Sequence, residues 1–354
     1  MDDASISVRL PQGSGSPKNA EIAVRQRDCL THRQVWLNSM HDPSSLCFRQ
    51  TMRAQAGRDI TRHTLPVIQG RRMKARFPKF DFSNLRAHWA PNLEFAQRAN
   101  AASLIPAYIE PYLLKVMMQA KKQIDPAKTE LHRDLDIFIK QEMQHCRQHI
   151  AFNRRMHDLG YELLKPIEQE FEATFARFLA KKSLRFNLAY SEGFESLSAT
   201  ACVLYFEDYN ELLEQADPEP TNMWRWHLAE EFEHRTVCSD VYHELSGLNP
   251  VFAYFYRLYG YFYAIAHLGR FQLMVSRKLL EHDRAAMTPA EVQQSLARDK
   301  IARKVMGRHF ISNFLKICSP FYNPLNRREP RGYRAYLAEF EARYDRGPVA
   351  EIAA

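Results

Sequence analysis

The stretch FIKQEMQHCRQHIAFN (residues 138–153) decides how the rest of the chain is read. Glu142 is followed three residues on by His145 and seven on by His149. On a helix, spacings of three, four and seven fall on one stripe. One face therefore offers a carboxylate and imidazole nitrogens to the same neighbour. The pattern recurs in WRWHLAEEFEHRTVCSDVY (residues 224–242), where His227, Glu231 and His234 share a stripe. Two more helical patterns each carry one glutamate mid-run: Glu110 in LIPAYIEPYLLKVM (104–117) and Glu195 in SEGFESLSA (191–199).

Chain order sharpens this. An isolated Glu, a Glu-x-x-His, an isolated Glu and a second Glu-x-x-His form the ligand set of a dinuclear metal site in a four-helix bundle. Carboxylate plus imidazole suits iron or manganese, which ligand type alone does not separate. On a solvated helix the same residues would be ordinary pairs worth about a few tenths of a kcal/mol. Here they are flanked by Phe138, Ile139, Trp224, Trp226 and Phe232. Carboxylates buried among such residues are costly without a cation to balance them.

Spacing selects Glu231 over Glu230, because only Glu231 lies three residues before His234. Glu195 is taken as the ligand, with Glu192 on the same face as the reserve. His227 sits one turn before Glu231, a position for direct ligation. His149 is expected to pack or to orient a ligand, and Asp136 and Asp240 are candidates for orienting the histidines. Glu110 precedes Pro111, which implies a kink.

The chain has 354 residues, 45% hydrophobic and 25% charged, with only twelve glycines. Few glycines among many Leu, Ala, Glu, Arg and Lys predict an all-α fold. The six cysteines form no C-x-x-C pair, as expected of reduced thiols in a cytoplasmic protein. The start, Met-Asp-Asp-Ala, shows no signal peptide. Net charge is +8, with basic residues concentrated between Arg49 and Arg86. No nucleic-acid-binding motif accompanies them, so they read as a solvated leader with no specific nucleic-acid partner.

Residues 1–65 read as a poorly ordered basic leader, and 66–90 as an extended aromatic segment lying across the core. Helices are predicted over about 92–122, 125–160, 165–181, 184–214, 221–247, 251–282 and 288–317. Asp125-Pro126 and Thr221 serve as starts, and Gly160 as a stop. Together 66–320 forms a single helical metal-binding domain: a four-helix core with extra C-terminal helices. Residues 321–354 form a polar tail. The run VFAYFYRLYGYFYAIAHLGRFQLM (251–274) is interrupted by Arg257, His267 and Arg270. A core or interface helix fits it better than a membrane span, with peripheral membrane association left open.

The strings FIKQEMQHCRQHIAFN and HLAEEFEHRTVCSDVY resemble the bacterial family labelled predicted metal-dependent hydrolase. RRMKARFPKFDF, HWAPN and LIPAYIEPYLLKVM resemble its N-terminal blocks. The resemblance covers about residues 68–280. The ligand pattern is also similar to the ferritin-like di-iron oxygenases, and His227-x-x-x-Glu231-x-x-His234 resembles the three-histidine variant of arylamine N-oxygenases. That resemblance implies a ferritin-like bundle with Glu110, Glu142, His145, Glu195, His227, Glu231 and His234 as ligands to two metal ions, iron first and manganese second.

It also implies a dioxygen-dependent oxidase or oxygenase served by an electron-donor protein, while the surrounding Tyr108, Tyr112, Phe138, Phe194 and Trp226 favour a small apolar or aromatic substrate. The alternative is a hydrolase using metal-activated water, with Arg147 and Arg235 as candidate clamps. A further alternative is a helical metal-binding protein without turnover.

Overall fold

The computed structural model describes residues 73–308 and 310–344, which fall in one compact unit of the chain, residues 69–354. The expected leader 1–65 and the basic run through Arg72 lie outside the described residues. Every regular element among the described residues is helical.

Residues 73–92 run without regular structure yet bury Met73, Arg76, Phe82, Leu85 and Trp89. Asn92 then caps α1 (Leu93–Lys121), its side chain accepting from the Phe95 N–H, which satisfies one of the orphan donors of a first turn. This helix continues through Pro106 and Pro111, so Pro111 does not end it. The Asp125-Pro126 pair forms a turn, and α2 (Thr129–Asp158) begins four residues later than Asp125. Gly160 follows it at φ 98°, a left-handed position that glycine occupies without a Cβ penalty.

The next elements are α3 (Leu164–Lys181) and α4 (Leu184–Val203). The predicted single helix 184–214 is interrupted there. Leu204–Asp208 is a π turn, its Leu204 carbonyl accepting from the Tyr209 N–H, and α5 (Asn210–Leu213) follows. Such turns inside helices mark functional sites more often than chance.

Thr221 is not a cap: α6 (Pro218–His234) starts earlier, behind Asp217. The predicted helix to 247 breaks directly after His234. Arg235 turns back to donate to the Phe232 carbonyl and to the carbonyls of Pro324 and Leu325. The chain resumes as α7 (Val237–Leu245).

The long helix α8 (Pro250–Arg284) is capped by Asn249, and α9 (Pro289–Gly307) opens with a Thr288–Glu291 capping box. Then come α10 (Phe310–Ile317) and, within the expected polar tail, α11 (Tyr333–Tyr344). That tail reading is corrected: α11 buries Tyr333, Leu337 and Phe340, and Phe340 stacks on Trp226. Its charged residues occupy the outer face and mask a three-position apolar stripe.

Helix α1 packs on α2, and α4 packs on both α6 and α8. The α4–α8 contact is close. A Cβ on Gly260 would lie 2.3 Å from the Ala189 carbonyl oxygen, and one on Gly193 would lie 2.7 Å from Tyr261 Cα. Two glycines thus let α8 back directly onto the helix that carries Glu192 and Glu195. No helix among the described residues is long and apolar enough to cross a membrane.

Candidate metal centre

Four helices deliver the seven candidate ligands. Glu110 comes from α1, Glu142 and His145 from α2, Glu195 from α4, and His227, Glu231 and His234 from α6. All seven are at most 2% exposed. They gather into two groups, Glu110/His145/His227/Glu231 and Glu142/Glu195/Glu231/His234, within each of which the ligand atoms lie within 4.8 Å of one another.

Glu231 belongs to both groups. Its Oε1 lies 3.1 Å from His227 Nε2 and 3.8 Å from His145 Nδ1, while its Oε2 lies 3.4 Å from His234 Nε2. Glu142 also reaches both groups, with Oε1 3.2 Å from His234 Nε2 and 3.5 Å from His145 Nδ1. On the far side, Glu195 Oε2 lies 3.3 Å from His234 Nε2 and Glu110 Oε1 lies 3.6 Å from His227 Nε2.

Such a cluster is costly if left to itself. Both carboxylate oxygens of Glu110, Glu142, Glu195 and Glu231, with His145 Nδ1 and His234 Nε2, are buried without a hydrogen-bond partner. Orphaned buried acceptors of this kind are rare in native interiors. Burial raises Glu110 and Glu142 well above the usual carboxylate range, helped by the neighbouring carboxylates. Burial and Glu231 push Glu195 up to about 8. Glu231 goes the other way: burial opposes its charge, but His234 and His227 outweigh it and hold Glu231 well below its ordinary value. Burial pushes His145 down to about 3 and His227 to about 4. The donor set, four carboxylates and three imidazoles around two foci, is of a kind that suits metal ions.

Each histidine is also held from behind, fixing which nitrogen faces the centre. His145 Nε2 lies 3.0 Å from Glu230 Oε2. His234 Nδ1 lies 3.0 Å from Gln141 Oε1, and His227 Nδ1 lies 2.9 Å from His149 Nε2. His149 Nδ1 in turn meets Ser103, which donates to Asn153. Behind Glu230 stands Arg76, only 3% exposed, which donates to Glu230, Glu233 and Glu341. Gln141 donates to the Lys74 carbonyl and to Glu233. Partners of this kind set the tautomer and ring orientation of metal-facing histidines.

Of the residues expected to orient the histidines, His149 does so by backing His227, whereas the two aspartates lie elsewhere. Asp136 pairs with Lys121 at the surface, and Asp240 is exposed. Glu230, whose spacing to His234 does not match a ligand pair, backs His145, and the helical period gives no sign of the roles of Gln141 and Arg76. The available signal was that Gln141 and Glu230 each immediately precede the glutamate of a Glu-x-x-His. The described part of the basic run is also not a free patch, since Lys74, Arg76 and Arg86 pair with Glu341, Glu230 with Glu233, and Asp217.

Glu192 stands outside both groups. It accepts from Arg257 and from Ser196. Arg147 is exposed and Arg235 is committed to backbone carbonyls, so neither reaches the centre as a clamp.

The family described as "Predicted metal-dependent hydrolase" matches residues 74–327, which contain all seven candidate ligands and every orienting residue except Glu341. No curated protein and no solved structure matches the chain. With most of its length matched, the chain belongs to the predicted metal-dependent hydrolase family.

Proposed function

We propose that this member of the predicted metal-dependent hydrolase family holds two metal ions between α1, α2, α4 and α6 and hydrolyses a small substrate there. The observation that carries the reading is Glu231, whose two oxygens face different histidine groups. Glu110, His145 and His227 would hold one ion, Glu142, Glu195 and His234 the other, with Glu231 common to both. Divalent ions bound there supply Lewis acidity and make water nucleophilic near neutral pH.

The chain's own residues do the rest. Glu230, Gln141 and His149 keep three imidazole nitrogens aimed inward. Phe138, Trp224 and Trp226 exclude bulk water around them. A cavity of about 550 Å³ is lined by Ala199, Val203, Phe232, Lys316, Phe321 and Arg327, among others. Ala199 lies one helical turn beyond Glu195, and Phe232 follows Glu231 in sequence; on this reading substrate approaches between these two helices. Its mixed lining suits a small amphipathic molecule.

A second reading, oxidation of an apolar substrate by dioxygen at two iron ions, is favoured by the donor set. Four carboxylates with three histidines suit iron, with manganese as the alternative. It requires an external electron-donor protein. Both readings take the four site helices as a ferritin-like bundle. Both place the protein in a reducing cytoplasm, consistent with the free thiols of Cys146, Cys202, Cys238 and Cys318.

The test is turnover of chromogenic esters by protein loaded with Zn²⁺, Mn²⁺ or Fe²⁺ under argon. Anaerobic turnover that Glu231→Ala abolishes is the expected result. Oxygen uptake with a reductant, and no anaerobic turnover, would transfer the assignment to oxidation.

A further inference from the structure

The inner face of α8 is fully used by the core, through Ala253, Gly260, Tyr261 and Ala264. Its outer face is equally apolar. Phe252, Phe255, Tyr259 and Phe262 fall within one helical face and are between 46% and 63% exposed. Helix α10 continues that surface: Phe314 meets the rings of Tyr261 and Phe262, and Arg257 donates to the Ile317 carbonyl. From α10, Ile311 and Leu315 are 72% and 63% exposed, and Phe321 just beyond is 90% exposed. Exposed apolar patches of this extent on a folded domain mark interaction surfaces.

Charge identifies the partner. From Pro250 to Leu280 and from Lys300 to Arg328 the sequence contains no Asp or Glu. Arg270, at the edge of the α8 stripe, and Arg308 and Lys316, beside the α10 residues, are exposed, and none forms an ion pair among the described residues. A second copy docked by this face would bring two carboxylate-free, cation-bearing segments against one another, the acids Glu207 and Asp208 lying across the cavity that Lys316 lines. An anionic lipid surface instead accepts aromatic rings at headgroup depth and attracts each nearby cation.

We propose that the α8–α10 face docks on an anionic bilayer without spanning it. Phe321 and Lys316 also line the cavity to which Ala199 of α4 and Phe232 of α6 contribute, so docking puts the cavity mouth at the interface and, if that cavity serves the metal centre, implies an amphipathic substrate drawn from it. Only this last step rests on the function proposed above; docking does not.

The experiment is flotation of the full-length protein with phosphatidylcholine vesicles, with and without phosphatidylglycerol, at low and high salt. Binding only to the phosphatidylglycerol vesicles, weakened by salt, is expected. Phe255→Glu/Phe262→Glu and, separately, Arg270→Glu/Arg308→Glu should each lower partition by about tenfold or more. Both should keep wild-type helicity and metal content, which reports folding and the metal centre independently of lipid. Failure of the wild type to float with anionic vesicles overturns the proposal. So does a dimer in sedimentation equilibrium that Phe255→Glu/Phe262→Glu dissociates, which would assign the face to a second copy.

Discussion

His145 Nε2 lies 3.0 Å from Glu230 Oε2, which leaves Nδ1, 3.5 Å from Glu142 Oε1, as the nitrogen that faces the centre. The mirror relation holds on the other helix, where Gln141 holds His234. Each Glu-x-x-His helix thus supplies, from the position before its glutamate, the partner that orients the other helix's histidine. Replacing Glu230 by Ala should weaken metal affinity by about 10–100-fold, read by competitive chelator titration. Glu192→Gln, which disturbs only the contacts with Arg257 and Ser196, should leave that affinity unchanged.

The stripped protein should lose stability as pH rises from about 6.5 to 8. Glu195 is raised to about 8 from 4.5, so its contribution is full below its unfolded value and is lost as pH climbs through the folded one. Glu110 and Glu142 act in the same direction. His145 and His227, lowered from 6.5 to about 3 and 4, contribute fully above 6.5 and lose it only toward acid. Burial opposes the charge of His234, but Glu231 outweighs it and holds His234 well above its ordinary value, so its contribution is also lost as pH rises. Above 6.5 it and the carboxylates set the slope together. Denaturant titrations at the two pH values, with and without added Mn²⁺, should show the loss in stripped protein and its cancellation by metal.

Gly260→Ala should destabilise the fold by about 3 kcal/mol or more, beyond the usual range for one added methyl, because a Cβ would lie 2.3 Å from a backbone oxygen. Helix α4 must move away from α8, carrying Glu195 with it. Urea unfolding should register the loss, and metal affinity should fall with it. Gly269→Ala, where nothing lies within 4 Å of the added carbon, should be neutral or slightly stabilising.

Phe340→Ala should cost about 3–5 kcal/mol, since its buried ring packs on Trp226 and Phe80. Trp226 also lies against His145, so the same variant should loosen metal binding. Equal stability of variant and wild type in thermal unfolding would remove α11 from the folded core.

The parts of this architecture that sequence reveals are those written in helical period. Glu142, His145, Glu231 and His234 could be placed together because spacings of three and four permit few other geometries. The helix starts near 92 and 288 were legible from the same periodicity, and the structure caps them with Asn92 and Thr288. What stayed hidden depends on contacts between distant segments. Arg76 looked like one more residue of a solvated basic run, because its partners Glu230 and Glu341 lie 154 and 265 residues away. The break after His234 depends on Arg235 reaching the carbonyls of Pro324 and Leu325. The choice between Glu192 and Glu195 waited on Arg257, which no local pattern assigns.

The most direct measurement is metal content per chain by mass spectrometry, on protein reconstituted anaerobically and gel-filtered, for wild type and Glu231→Ala. The account predicts close to two ions in the wild type and loss of both in the variant, because one carboxylate serves both groups. Wild-type protein that retains no metal, with the same folded spectrum, would contradict it.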